Sequence, residues 1–502
     1  MKPDWRYIEG RMAFGFDWSH IKPYEFHPVV EFIVALFYFV FIYYLMHYFA
    51  KSKIKSRSLR AHFVPGWIAR VSGGLFVYLF YLFYYGWGDT IAYLRDSKVM
   101  LILIYEMPLQ SLQYFFLSIK DKDFLNSLLN SNDVYYFAIY RTNYFIQYAF
   151  DYNSEMVALF TVPFMVLGIG LRYASLIIVS TFSFLASWFT YLVFVRRYPR
   201  YSGMLSIPLL YLPSLNVWTG SPFKETYAII GISLLVYGTY QLLYRGKWGW
   251  IPFMVFGAWM AYTVKPYVAL AILPWVLIWI YFSLNKKVNH PLYHYFFSPV
   301  ILIAFVGLAY FGILSLGEQT KKYSLENIPN QAYLVYIDLK NNYTYYQETG
   351  GSVYDIGDFE PTIPGMLSKF PIAFLTATFR PFLWEANKTV VLLAALETFA
   401  LTIITLINLF HHGIVRIVRK AVSDPFLIFC FGYSVLFLFM VGLTSGNFGN
   451  LVRYRLPGYI FFLSALFVCF GKLRDEDKAN RYRRRQQWTW SGAGGRPTGL
   501  AG

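Results

Sequence analysis

Acidic residues are scarce in this chain, with 27 Asp and Glu among 502 residues, and charged residues of both signs reach only 14%. A soluble domain carries roughly 25%, so a chain this poor in charge could not cover its own surface in water. Cysteine is scarcer still. Cys430 and Cys469 both lie in apolar runs, which excludes a disulfide framework and a cysteine metal motif. No Gly-rich phosphate loop, no HExxH or other metal spacing and no nucleophile elbow is present. No cofactor is expected. The first 27 residues hold acids, a proline and scattered aromatics rather than the pattern of a cleavable signal peptide.

What fills the chain is apolar: hydrophobic residues make up 57% and aromatics 22%. They fall in runs of about 16–24 residues, and roughly 20 are needed to cross the hydrocarbon core as a helix. Transmembrane strands would alternate apolar and polar residues; runs such as Phe32–Ala50 and Val390–Leu409 do not. The expected fold is all-α, a polytopic membrane bundle of about eleven transmembrane helices, with interfacial helices in two large outer loops.

The net charge of +17 suggests nucleic acid until the positions are read. Basic clusters at Lys51–Arg60, Arg196–Arg200, Lys286–Lys287, Arg416–Lys420 and Lys472–Arg485 each adjoin an apolar run. Lys and Arg gather on cytoplasmic loops, so the charge encodes topology and no nucleic-acid partner is expected. Placing every cluster inside orders the spans as 28–50, 66–87, 174–195, 203–218, 224–244, 249–264, 267–283, 298–316, 389–410, 425–444 and 456–471. The N-terminal segment 1–27 is then outside. The transmembrane domain covers 28–471 with outer loops 88–172 and 317–388, and a basic, partly disordered tail, 472–502, is cytoplasmic. Within that tail Ser491–Gly502 is Gly-rich, a disordered end or a foreign scar. Val157–Gly170 is short and is read as an interfacial or re-entrant helix, because a span there would put Lys51–Arg60 outside. The segments 97–152 and Phe370–Trp384 are further interfacial candidates.

Ionisable groups at membrane depth are functional candidates by default. The run Trp87-Gly88-Asp89-Thr90-Ile91-Ala92-Tyr93-Leu94-Arg95-Asp96 places Asp89 where a span emerges on the outer face. A half-desolvated carboxylate suits a general base; the alternative is an Asp that caps the helix beginning at Thr90. Tyr93, Asp96 and Glu225 are secondary candidates. Arg453 and Arg455, in Arg453-Tyr454-Arg455-Leu456-Pro457, violate the inside bias. They suit bidentate binding of phosphate oxygens or snorkelling to headgroups. Lys224 and Glu225 read either as a local ion pair capping the next helix or, for Lys224, as a further outer cation. Lys265, beside Pro266, and Arg380, beside Pro381, stand at two more outer corners. Convergence of these cations on one outward cavity is the sharper expectation. Glu397 reads as paired inside the bundle. His411-His412 reads as interfacial rather than a ligand pair, like His290 and His294 near the same side; His47 lies in the first span.

This arrangement resembles the GT-C superfamily of polytopic glycosyltransferases, in which an Asp opens the first large outer loop and interfacial helices follow it. Asp89 and the segment 97–152 match that pattern over roughly residues 66–471. Two further segments resemble bacterial membrane proteins of this broad type: Pro213-Ser214 with Trp218 and Lys224-Glu225, and Asn447-Phe448-Gly449 with Arg453-Tyr454-Arg455-Leu456-Pro457. The span 28–50 departs from the usual layout, and Thr90 stands where many relatives have a second acid, which argues against a metal. The resemblance implies an inverting transfer on the outer face of a bacterial inner membrane. A sugar would pass from a polyprenyl-phosphate-linked donor to a glycan, lipid or protein acceptor. Asp89 would be the base, and Arg453, Arg455, Lys224, Lys265 and Arg380 the candidates to hold the donor phosphate. An O-antigen or exopolysaccharide polymerase of the Wzy or EpsG type is the alternative enzyme. A transporter or a membrane-complex subunit is the non-enzymatic one, although no repeat joins the two halves.

Overall fold

A computed structural model describes residues 28–106, 108, 147–148, 151–286, 300, 303, 307, 327–341, 354–386 and 388–493. Among these residues the chain is all-α, without a strand. In chain order the helices used below are α1 (Pro28–Lys53), α2 (Arg57–Phe80), α3 (Asp89–Glu106), α4 (Tyr152–Leu167), α5 (Arg172–Arg197), α6 (Pro213–Thr219), α7 (Lys224–Arg245), α8 (Ile251–Val264) and α9 (Pro266–Asn285). They continue with α10 (Ile328–Asn341), α11 (Phe370–Phe379), α12 (Thr389–His412), α13 (Ile414–Val422), α14 (Pro425–Thr444), α15 (Phe448–Tyr454) and α16 (Leu456–Ala493).

Among the described residues eight helices are long and apolar enough to cross a membrane: α1, α2 with the π-helical turn Tyr81–Tyr85 that extends it, α5, α7, α9, α12, α14 and α16. This is an α-helical membrane protein. Each of the eight coincides with a span expected from hydropathy. The difference from about eleven expected spans lies in three places. The expected span 203–218 is broken: a short helix Ser202–Ser206 runs into a π-helical turn at Ile207–Tyr211, and Pro213 starts α6 afresh. A proline has no N–H to continue the ladder and suits a first helical turn. The expected span 249–264 is a 14-residue helix, α8, short of the length needed. The expected span 298–316 lies outside the described residues apart from Val300, Ile303 and Gly307.

The chain forms two compact units. The first comprises residues 1–189, 210–233 and 259–266, the second 190–209, 234–258 and 267–502. In the first unit, α1 leaves Phe32, Phe37, Phe41 and Tyr48 exposed, a face suited to lipid. Its other face rests Phe39 on Trp67 of α2, with ring centroids 5.2 Å apart. Glu31 pairs with Arg172 at 3.3 Å. α2 and α6 approach closely enough that a Cβ at Gly74 would overlap the Gly220 carbonyl, the small-residue packing that membrane helices use. α4 is apolar but only 16 residues long. It packs along α3, where Ser97 Oγ donates to the Ala158 carbonyl at 2.8 Å.

In the second unit, α14 and α16 form a buried aromatic core through Phe429, Tyr433, Phe437 and Phe461. The expected interfacial segment Phe370–Trp384 contains α11, ten residues long, packed so closely on α14 that a Cβ at Gly442 would overlap the Ala373 carbonyl. Into the expected tail from residue 472 onward, α16 continues without a break to Ala493, and residues 494–502 lie outside the description. Lys, Arg, Glu and Gln are good helix formers, so leaving the apolar stretch does not end the helix.

Candidate functional site

The first unit gathers Asp89, Tyr93, Asp96, Lys224, Glu225 and Lys265. A left-handed Gly86 (φ 73°) and Gly88 end the π-helical turn and begin α3. A side chain at Gly88 would overlap the Tyr81 ring, so this corner needs glycine. The Gly88 carbonyl accepts from the Ala92 N–H at 3.0 Å. Asp89 is therefore the first residue of α3, not the cap before it. Its half-buried carboxylate accepts a hydrogen bond from the Tyr148 hydroxyl at 3.1 Å.

Asp96 lies seven residues on, two turns along the same helical face. Its buried carboxylate accepts from the Tyr148 backbone N–H at 3.2 Å and from Arg95 at 3.2 Å. Tyr148 thus spans the two acids of α3, with phenol on one and backbone on the other. Burial raises Asp96 above the usual carboxylate range against the opposing pull of Arg95 and those N–H groups. Burial, followed by the charge of Asp89, pushes the Tyr148 phenol far up, so it stays a protonated donor. Arg95 also stacks over Trp87 at 4.7 Å and bonds Gln147 at 3.0 Å.

From Tyr148 the contacts continue. Its ring lies on that of Tyr93, 4.8 Å between centroids, and the Tyr93 hydroxyl donates to Ser154 Oγ at 3.3 Å. Ser154 donates to Asp151, which also holds Lys224 at 3.1 Å. Burial raises the Asp151 carboxyl, but the Ser154 hydroxyl and the Lys224 charge outweigh it and hold it below the ordinary value. Thr90, in the first turn of α3, bonds Ser221 just before α7, so the starts of both helices are adjacent. Lys265 and Glu225 form a second ion pair, and both are buried. Lys224 and Glu225 do not pair with each other as the local reading has it. Successive residues of a helix point to different faces, and each finds a partner elsewhere in the chain.

The second unit holds the three arginines. Arg380 lies in a fork on Glu385, with Nε at 2.9 and 3.1 Å from the two carboxylate oxygens, and stacks over Tyr354 and Phe448 at 5.2 Å each. Arg455 is fully buried. It donates to the Ala377 carbonyl at 3.2 Å, the Arg380 carbonyl at 2.7 Å and Thr398 Oγ1 at 2.9 Å, and stacks over Tyr459 at 4.4 Å. That geometry joins the end of α11 to α12 and α16. Arg453 is nearly buried in α15, 5.9 Å from the Tyr454 ring. Glu397 is half-buried on α12, next to the Thr398 that receives Arg455.

Sequence reasoning missed Tyr148, Asp151 and Ser154. It also missed Arg70 of α2, fully buried among Asn216, Ser183, Thr219 and Ser187. The hydropathy of its span hides that cation, and only its lone basic character mid-run could have flagged it. Of the expected histidines, His290 and His294 lie outside the described residues. No protein family, curated protein or solved structure matches the chain.

Proposed function

We propose that the protein is a membrane glycosyltransferase that moves a sugar from a polyprenyl-phosphate-linked donor to an acceptor hydroxyl on the outer face, with Asp89 as general base. The observation that carries this reading is the connected polar cluster at the start of α3. It presents a half-buried carboxylate held by a phenol beside a lysine whose ion pair is still partly exposed, Lys224 at 23% and Asp151 at 50%. Asp89 takes the acceptor proton as the oxygen attacks the anomeric carbon, and the bond from that carbon to the phosphate oxygen breaks with inversion. Lys224 neutralises the departing phosphate by exchanging Asp151 for it. Lys265, sealed with Glu225, holds the surrounding frame.

The outer placement rests on where basic residues fall. Lys51 and Lys53 end α1, Arg196 and Arg197 end α5, and Arg245 ends α7. With these ends and the basic run Lys472–Arg485 cytoplasmic, the start of α7, and with it Lys224 and the adjoining start of α3, is outward, the N-terminus is outside and the C-terminus cytoplasmic. This topology takes an odd number of crossings: the eight long helices together with the broken stretch 198–223, the shorter α8 and one more between α9 and α12.

Protein reconstituted in vesicles and given radiolabelled polyprenyl-phosphate sugars should label an acceptor. Asp89→Asn should lower the rate by about 10²–10⁴ while inserting normally. Near-native transfer by that variant overturns the assignment. A product ladder built from lipid-diphosphate repeat units would favour the polymerase instead.

A further inference from the structure

The end of α12 and the charged extension of α16 bring together three groups that the proposed transfer does not use. His411 and His412 are the last residues of α12, and Asp477 lies on α16 beyond its apolar stretch. His412 Nδ1 stands 3.1 Å from Asp477 Oδ2, and His411 Nε2 stands 4.0 Å from the same oxygen. The three donor atoms all lie within 4.8 Å of one another.

Two features distinguish this from a histidine that merely leans on a carboxylate. His412 is 94% buried, its residual exposure being 6%. Its Nδ1 stands at ion-pair distance from Asp477 Oδ2 but outside the alignment of a good hydrogen bond. A buried ring nitrogen without an aligned partner costs up to about 1–3 kcal/mol unless a better one satisfies it. A metal ion does so: bonds of about 2.0–2.1 Å place tetrahedral donors roughly 3.3 Å apart, close to the separation of the two tighter atoms. The other oxygen of Asp477 is held by Arg416 at 2.6 Å, and Arg416 and Lys420 of α13 are in turn met by Glu476 at 3.7 and 3.0 Å. Such outer partners orient a ligating carboxylate, and here they balance the charge around it.

We propose that His411, His412 and Asp477 form a divalent transition-metal site, of the class that takes zinc, cobalt or nickel, that staples the end of α12 to α16. Two imidazole nitrogens and one carboxylate oxygen match that class, and magnesium or calcium would call for oxygen ligands throughout. Three protein ligands leave a fourth position for water. The site makes no demand on the transfer reaction, so either idea can fail alone.

The test uses the full chain, free of any affinity tag, in detergent and stripped with chelator. Titration with cobalt should give one equivalent per chain, with the intense visible absorption of a tetrahedral centre, and zinc should displace it. His411→Ala is the safe variant because that ring is 61% exposed; it should weaken uptake more than about tenfold. His412→Ala and Asp477→Asn should abolish the tetrahedral spectrum. Absence of stoichiometric uptake by the native chain, or uptake unchanged in His411→Ala and Asp477→Asn, overturns the proposal.

Discussion

The Tyr148 hydroxyl donates to Asp89 at 3.1 Å while its backbone N–H donates to Asp96, so one residue fixes both acids of α3. Tyr148→Phe removes the bond to Asp89 and keeps the ring against Tyr93. A hydrogen bond to a charged group is worth about 1.5–3 kcal/mol, so the proposed transfer should fall by roughly 10- to 100-fold in kcat. Unfolding in detergent should change little by comparison. A variant that transfers at the native rate would remove Tyr148 from the site.

Lys265 and Glu225 form an ion pair from which solvent is excluded. Removing one partner of a buried pair strands the other, at a cost of about 3–5 kcal/mol. Glu225→Gln should therefore lower the unfolding temperature strongly. The double variant Glu225→Gln with Lys265→Met should recover most of that loss, because no charge is then left unpaired. Thermal unfolding of the native chain, of Glu225→Gln and Lys265→Met alone and of the double variant decides it; a double variant as unstable as the sum of the two single ones would show that the two residues act separately.

The eight long helices were legible because hydropathy over some 20 residues is a collective signal that one residue cannot spoil. Hydropathy read 203–218 as another span because it averages over Pro213, which divides that stretch in the structure. It marks where the last span leaves the apolar stretch, at Gly471, but scores solvent preference and not helix, and α16 runs on through Arg, Lys and Glu. Asp89 was legible by its place at the end of an apolar run. Its partner Tyr148 was not, being 59 residues away in a segment with no motif of its own. Of the two readings open for Lys224 and Glu225, the local pair fails because each finds its carboxylate or ammonium partner far along the chain, Asp151 for Lys224 and Lys265 for Glu225.

Arg70 is a buried cation in α2 whose guanidinium meets amide and hydroxyl oxygens: Asn216 at 2.9 Å, Ser183 at 2.9 Å, Ser187 at 3.1 Å and Thr219. These acceptors lie on α5 and α6, beside the Gly74–Gly220 approach. Arg70→Lys keeps the charge but offers a single ammonium to acceptors spread around a planar fork. It should destabilise by about 1–3 kcal/mol for each oxygen left unsatisfied. Gly74→Ala should act on the same seam by overpacking, at about 1–3 kcal/mol. Both are read by thermal unfolding, and an unchanged Arg70→Lys protein would show that charge alone suffices there.

Asp424 caps the start of α14, accepting from the Phe426 N–H at 2.9 Å, and binds Arg197 and the Tyr198 hydroxyl, each at 2.7 Å. Burial raises its carboxyl, but the Arg197 charge, the Tyr198 hydroxyl and the Phe426 N–H outweigh burial and hold it below the ordinary carboxylate value. A carboxyl depressed by folding contributes stability that is fully present above its unfolded value, about 3.9, and is lost as pH falls through the folded one. Asp424→Asn should cost about 1.5–3 kcal/mol at neutral pH, and its unfolding temperature should fall less steeply than that of the native chain as pH drops from roughly the unfolded value, about 3.9, through the lower folded one. Thermal unfolding of both proteins in detergent as the pH is lowered measures the two slopes. Parallel slopes would mean that Asp424 keeps its proton equilibrium on unfolding, and the corner where α5 meets α14 would then be held by packing of Phe194 and Tyr198 on Phe426 rather than by charge.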